Sequence, residues 1–302
     1  MDYSKQATKI WIPSTDMKHT SDPIIRSALD KDRQSLANLI HFEVYVHRHL
    51  DWRPPIDWIG KDPCLVLERD GELLSALICP PDPPEAAWIR LFVVSQEISL
   101  EESWSNLWTE ASKQLGHQAH PPIAAIVLRP WLQPLLEGCG FDQTQEIVSL
   151  SWEPAKDNHI FQYPQVPIRP MKDSDLLAVH ELDTNAFGFL WRISLETLKN
   201  AYQQACVASV VEIDHIIVGY QISTSGPIGG HLARLAVLPT YQGKGIGSAL
   251  VHEVQTQFKH RNALKVTVNT QHDNFNSLYL YKKAGFKTTG EIYPVYQYNW
   301  MR

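Results

Sequence analysis

Cysteine is scarce and scattered. The 302-residue chain holds four, Cys64, Cys79, Cys139 and Cys206. They lack the paired C-x-x-C spacing of a zinc site and the dense framework of a small disulfide-bonded domain. Reduced thiols in a cytoplasmic protein are therefore expected. Long apolar runs are missing as well: nothing approaches the roughly 20 consecutive apolar residues of a membrane span. Met1-Asp2-Tyr3-Ser4-Lys5 does not open a basic segment followed by an apolar core, so no membrane partner is expected. A basic excess is also lacking. The net charge is -6, whereas phosphate backbones call for a basic stripe, and this speaks against a nucleic-acid partner. His41, His47 and His49 are placed by pattern on one helix, where steps of six and two residues scatter them around the axis. They are read as surface residues, and no metal site is expected.

What is present suits two globular cores. The chain is 44% apolar and 20% charged, balanced enough to fold and long enough to divide. Residues 161–302 carry 13 Lys and Arg against 10 Asp and Glu, and residues 1–160 carry 14 against 23. The halves thus differ in sign, and the basic one suits a polyanionic ligand.

The halves also repeat each other. Ile25-Arg26 with Asp30 and Asp32 returns as Ile168-Arg169 with Asp173 and Asp175, an offset of 143. Arg90-Leu91-Phe92-Val93 returns as Arg234-Leu235-Ala236-Val237 at 144, and Gly140-Phe141 with Glu146-Ile147 as Gly285-Phe286 with Glu291-Ile292 at 145. Three words in one order at a nearly constant offset predict a duplicated domain. The copies are bounded at 20–153 and 165–302, joined by a linker near 154–167 that contains Pro154, Pro164 and Pro167. They differ at one place. Ser95 to Ser103, with Glu101 and Glu102, contains no glycine, while the matching stretch of the second copy holds Gly243, Gly245 and Gly247.

That glycine run follows a strand-like segment, His231 to Val237, closed by Pro239, and precedes a helical pattern of Leu250, Val251, Val254 and Phe258. Strand, glycine loop and helix start aim backbone N–H groups at a phosphate. The spacing G-x-G-x-G is not the dinucleotide fingerprint, and Lys244 lies inside the run rather than after it, which excludes a nucleotide-triphosphate loop.

The segment Leu235 to Ser248, with Gln242, Gly245 and Gly247 filling [RQ]-x-x-G-x-[GA], resembles the acetyl-CoA motif of the GNAT superfamily of N-acetyltransferases. A second family segment, Asn274 to Phe286 with Tyr281 and Gly285-Phe286, follows at the family's spacing. The resemblance implies an α/β (α+β) fold of two tandem domains, each a mixed, mostly antiparallel sheet flanked by helices, the first copy degenerate. It also implies acetyl-CoA as co-substrate and an amine acceptor as second partner. Backbone groups along Leu235, Ala236 and Val237 would hold the pantetheine arm. Gln242, Gly243, Lys244, Gly245, Ile246, Gly247 and Ser248 would cradle the pyrophosphate, and Asn274 would bind the arm near the second helix. Tyr281 would give a proton to the departing thiolate; its counterpart in the first copy is Leu136. Ribosomal-protein N-terminal acetyltransferases, whose spacing this half resembles, carry a glutamate where Asn269 stands, and an amide is no base. His231, Glu212 and Asp214 are the other candidates for that role, and Phe187, Phe189 and Trp191 fall where the family builds its acceptor pocket. A non-catalytic acyl-CoA sensor is the alternative reading.

Overall fold

The computed structural model describes residues 21–117, 120–154, 163–227 and 229–301. The chain's first residues and the middle of the expected linker, 155–162, lie outside them. The first half runs β1 (Ile24–Ser27), α1 (Arg33–Phe42), β2 (Tyr45–Arg48), β3 (Cys64–Arg69), β4 (Glu72–Ile78), β5 (Ala87–Trp88), β6 (Leu91–Val94), α2 (Leu100–Gly116), β7 (Ile123–Ile126), α3 (Gln133–Gly138) and β8 (Phe141–Trp152). The second runs β9 (Ile168–Pro170), α4 (Leu176–Ala186), α5 (Leu195–Gln203), β10 (Val207–Ile213), β11 (Ile216–Gly226), β12 (Gly229–Val237), α6 (Ile246–His260), β13 (Lys265–Gln271), α7 (Phe275–Lys283) and β14 (Lys287–Tyr298).

The repeat seen in the sequence is also a repeat of interactions. Arg26 grips Asp32 with both terminal nitrogens (2.6 and 2.9 Å) and turns its Nε to Glu68 (2.8 Å). Arg169 does the same to Asp175 (2.7 and 3.0 Å) and Glu212 (2.7 Å). Each fork ties the first strand of its half to the start of the following helix and to the hairpin beyond, in bidentate geometry that point charges would not hold. The hairpins match too. Asp70-Gly71 joins β3 to β4 and Asp214-His215 joins β10 to β11, all four at positive φ, the mark of the two-residue turn that follows strand twist.

Among the described residues the strands form two sheets, ordered β1-β3-β4-β6-β2 and β5-β7-β14-β8-β13-β12-β11-β10-β9. Pairing is antiparallel except at β12/β13 and β5/β7. The sheets do not divide at the linker. β8, the last strand of the first half, lies between β13 and β14 of the second, while β14 goes on to pair with β7 of the first. The two halves have exchanged their terminal strands, and the core formed by Trp104, Trp108, Phe141 and Tyr296 mixes both.

One group of residues departs from the sequence reading. α1 stops at Phe42, and His47 lies on β2, with His49 just beyond it, rather than on the helix. His47 is 1% exposed and donates from Nε2 to the Ile89 carbonyl at 3.0 Å, so it is not a surface residue. Its strand pairs with β6, a long-range contact with no local signature. Among the described residues no cluster of His, Cys, Asp or Glu could hold a metal ion, and no helix is long and apolar enough to cross a membrane.

Candidate active site

The site opens where β12 leaves β13. Their parallel pairing runs from Gly229↔Lys265 to Leu232↔Val268 and stops. On the other side the register with β11 slips between Ile222 and Ser223, leaving Ala233 as the extra residue of a bulge, the device that bends a strand out of its ladder. Beyond it, among the described residues, β12 keeps only β11. Because Leu238 donates to Val218 O (2.9 Å), strand alternation turns the backbone groups of Ala236 inward to β11 and those of Leu235 and Val237 toward the gap. The second-half strand edge is thus open over the stretch expected to hold the pantetheine.

The glycine loop closes one end of that edge. Pro239–Tyr241 form a single 3-10 turn, and Gln242 donates from Nε2 back to Val237 O at 3.0 Å. Gly243 and Gly245 then take φ of 75° and 82°, which only glycine adopts without strain. α6 starts at Ile246, and the buried Ile246, Leu250, Val251, Val254 and Phe258 seat it on the sheet. Among the described residues the amides of Gly243 to Ser248 donate to no carbonyl or side chain; the first intrahelical bond is Ala249 N to Gly245 O at 3.0 Å. A row of free N–H groups at a helix start fits a pyrophosphate. A Cβ on Gly247 would stand 3.2 Å from Leu280 Cδ2, so any larger residue there needs Leu280 to give way by a few tenths of an ångström.

A groove of about 700 Å³ follows this edge, lined by Leu235, Ala236, Val237, Gln242, Gly243, Gly245, Ile246, Gly247, Ser248 and Asn274. Those are the expected cofactor residues with the exception of Lys244, whose ammonium lies 4.5 Å over the ring of Tyr241. A second chamber, of about 430 Å³, adjoins it and is lined by Tyr281, Asn269 and His231. Phe187, Leu235, Asn274 and Ser277 line both. Asn274 caps α7, accepting from Ser277 N at 3.1 Å. Tyr281 lies one turn further along that helix, 5% exposed. Burial pushes its phenol well above the ordinary value, so the proton stays on oxygen at neutral pH.

The candidates for a base separate cleanly. Glu212 is held by Arg169, Asp214 sits in the β10–β11 turn, and neither lines either cavity. Asn269 reaches the chamber as an amide. His231 also reaches it, and burial pushes its imidazole below the ordinary value, so it is neutral at pH 7. Of the expected acceptor-pocket aromatics, Phe187 and Trp191 line the chamber, whereas Phe189 is 61% exposed and lies under Arg192.

The sequence did not announce two features. Arg234 is clamped on Asp183 (Nη2 to Oδ1, 2.8 Å), donates to Trp191 O (2.8 Å), and shares Asp183 with the Tyr220 hydroxyl. This buried group fixes the Trp191 segment against β12. The second feature is the far wall of the chamber, which comes from the first half: His49, Asp51, Asp82, Trp88 and Arg90. Arg90 recurs with Arg234 in the repeat, and that was the only sequence signal for any of them.

Residues 176–286 match the model of the acetyltransferase (GNAT) family. The second half carries a GNAT acetyltransferase domain. Over 119 residues the chain is 27% identical to a ribosomal protein bS18-alanine N-acetyltransferase of Haemophilus influenzae, covering 39% of this chain and 80% of that one. Over 84 residues it is 26% identical to N-alpha-acetyltransferase 30 of Schizosaccharomyces pombe, covering 28% and 56%. Among solved structures, a tandem GNAT protein from the clavulanic acid biosynthesis pathway matches with TM-score 0.61 at 14% identity, over 91% of this chain and 97% of that one. A GCN5-related N-acetyltransferase from Sphaerobacter thermophilus matches with TM-score 0.60 at 17% identity, over 91% and 95%. These last two show a shared fold. The match over this half and the named relatives make an acetyl-CoA-dependent acetyltransferase the activity of the chain.

Proposed function

We propose that this protein moves an acetyl group from acetyl-CoA to the primary amine of a small molecule or a peptide N-terminus by direct attack, at one site per chain, in the cytoplasm. The observation that carries the reading is the meeting of groove and chamber at Leu235, Asn274 and Ser277. A donor laid along β12 and an acceptor in the chamber would come face to face there, and holding them so is the larger part of the catalysis. Acetyl-CoA supplies the activated acyl group. The loop amides of Gly243 to Ser248 hold its pyrophosphate, and the open edge of Leu235 and Val237 pairs with its amide arm. The Val237 amide would stabilise a developing oxyanion. Tyr281, protonated at neutral pH, is the acid for the leaving sulfur.

Three features support a single site. β2 pairs with β6 from Tyr45↔Val94 to Arg48↔Leu91, covering in the first half the edge that β12 leaves open in the second. The equivalent of β2 at the repeat offset is the 3-10 turn Phe189–Trp191, which joins neither sheet among the described residues. At α2 the hydroxyl of Ser99 takes up the Glu102 amide (3.1 Å), and Glu101 and Glu102 follow, so this helix start is both capped and repellent to phosphate. Leu136, fully buried, stands where Tyr281 does. The enclosure of the chamber by both halves favours a small acceptor. The four free cysteines suit a reducing compartment.

Asn269 favours a second reading, an acyl-CoA sensor that does not turn over. Thioester consumption by the wild type with a panel of primary amines, compared with Tyr281→Phe, separates the two. A loss of about 100-fold in kcat is expected for the variant. Full activity in it would remove Tyr281 from the mechanism, and tight acetyl-CoA binding without consumption would leave the sensor.

A further inference from the structure

We propose that His231 is the proton acceptor of the chamber, taking from the acceptor amine the proton that a glutamate at Asn269 would otherwise have taken. It rests on the acetyl-transfer reading of the same site.

The tautomer follows from the hydrogen bonds. His231 Nδ1 lies 2.9 Å from Thr267 Oγ1, and that hydroxyl donates to Gly230 O at 3.4 Å. We assign the ring hydrogen to Nδ1, because a hydroxyl that gives its one proton to the carbonyl accepts from the ring, and Nε2 then keeps the lone pair. Nε2 has no partner among the described residues and is not sealed from solvent. The side chain faces the chamber. Gly230 before it points to Phe258 of α6, and strand alternation sends His231 to the opposite face. Burial keeps the imidazole neutral at pH 7.

The other groups of the chamber are engaged. Asp51 is paired with Arg90, and Arg234 with Asp183. Asp82 accepts from the Thr197 hydroxyl at 2.7 Å, and Arg192 donates to Phe187 O at 3.1 Å. His49 stacks on Trp88 in the far wall, and Tyr281 holds its proton. His231 is the neutral imidazole on β12, the strand that carries the open edge. Four strand residues, ~13 Å of backbone, separate it from Leu235, so the transfer runs through chamber water.

The protons balance. An acceptor arriving as an ammonium must shed two. One leaves before attack, to water and on to His231 Nε2, and is later released to solvent. The lone pair so freed forms the C–N bond as the C–S bond breaks, and the second proton is accounted for on the thiol of coenzyme A.

Two measurements on the full chain test this. Long-range 1H–15N spectra of the histidine side chains, with His231→Gln to assign the signal, should show Nδ1 protonated and Nε2 bare at neutral pH; a protonated Nε2 overturns the proposal. Thioester consumption should then fall about 100-fold in His231→Gln with an alkylamine. The fall should be much smaller with a weakly basic amine such as methoxyamine, already neutral at the assay pH. Calorimetry should give unchanged acetyl-CoA affinity, and Thr267→Val, which frees the ring without removing it, should lose less. Equal losses with both amines would make His231 merely structural, and an unaffected variant would overturn the base alone. A wild type that consumes acetyl-CoA with none of the amines would overturn the transferase reading, and the base with it.

Discussion

His47 stands in the strand that covers the first-half edge, donating to Ile89 O with its Nδ1 buried and unpartnered. Burial lowers its pKa from 6.5 to about 4. Since the unfolded chain binds the proton more tightly, stability attributable to His47 is complete above pH 6.5 and is lost as the pH falls toward 4, on the order of 3 kcal/mol in all. Chemical denaturation at pH 7 and pH 5 should show about 2 kcal/mol of this loss, and His47→Gln, which can still donate to Ile89, should flatten it. An identical acid slope in the variant would show that other groups set it. Gly245 is legible in the sequence and constrained twice over in the structure. Its φ is 82°, and a Cβ there would lie 2.3 Å from Pro164 Cγ of the linker. Gly245→Ala must therefore shift either the loop or the linker. It is expected to weaken acetyl-CoA binding at least tenfold by calorimetry, and retained affinity would mean that the loop tolerates a different path.

At the scale of elements, the repeat was readable because its words are local: an Arg–Asp fork, a buried strand, a Gly-Phe corner. The glycine loop and α6 were readable for the same reason. The exchange of β8 and β14 was not. Both terminal strands carry the same pattern, and nothing along either says whether β8 closes on β7 of its own half or on β13 of the other; sheet partners are settled only when the chain closes. The exchange has a direct consequence. Residues 165–302 made alone would expose the edge of β13 from Val266 to Gln271 and strip β14 of its partners on both sides, and bare edges of this kind aggregate. The isolated second half should be insoluble or associate in sedimentation, and co-expression with residues 1–154 should restore a one-to-one complex. A monomeric, folded second half would mean that β14 can pair directly with β13.

For the whole molecule, the proposed function has the two halves divide the work at one site. The second supplies the groove, the loop and Tyr281. The first has closed its own edge with β2 and contributes the far wall of the chamber, which no motif in the sequence could have located, because the wall exists only once the halves have docked. Acetyl-CoA should accordingly titrate at one per chain and not bind to Gly245→Glu; two sites per chain would mean that β2 yields its place. Trp88 tests the division of labour. It belongs to the first half, donates from Nε1 to Leu190 O at 3.1 Å, and packs against Trp191 at 5.1 Å between ring centroids. It lines the chamber and not the groove. Trp88→Phe keeps an aromatic ring but loses the bond to Leu190, and so loosens the wall without touching the loop. The KM for the acceptor should rise about fivefold, roughly 1 kcal/mol, while the acetyl-CoA affinity stays where it was. A change in acetyl-CoA affinity with the acceptor KM unmoved would mean that the first half acts on the groove, through the exchanged strands, instead of on the acceptor.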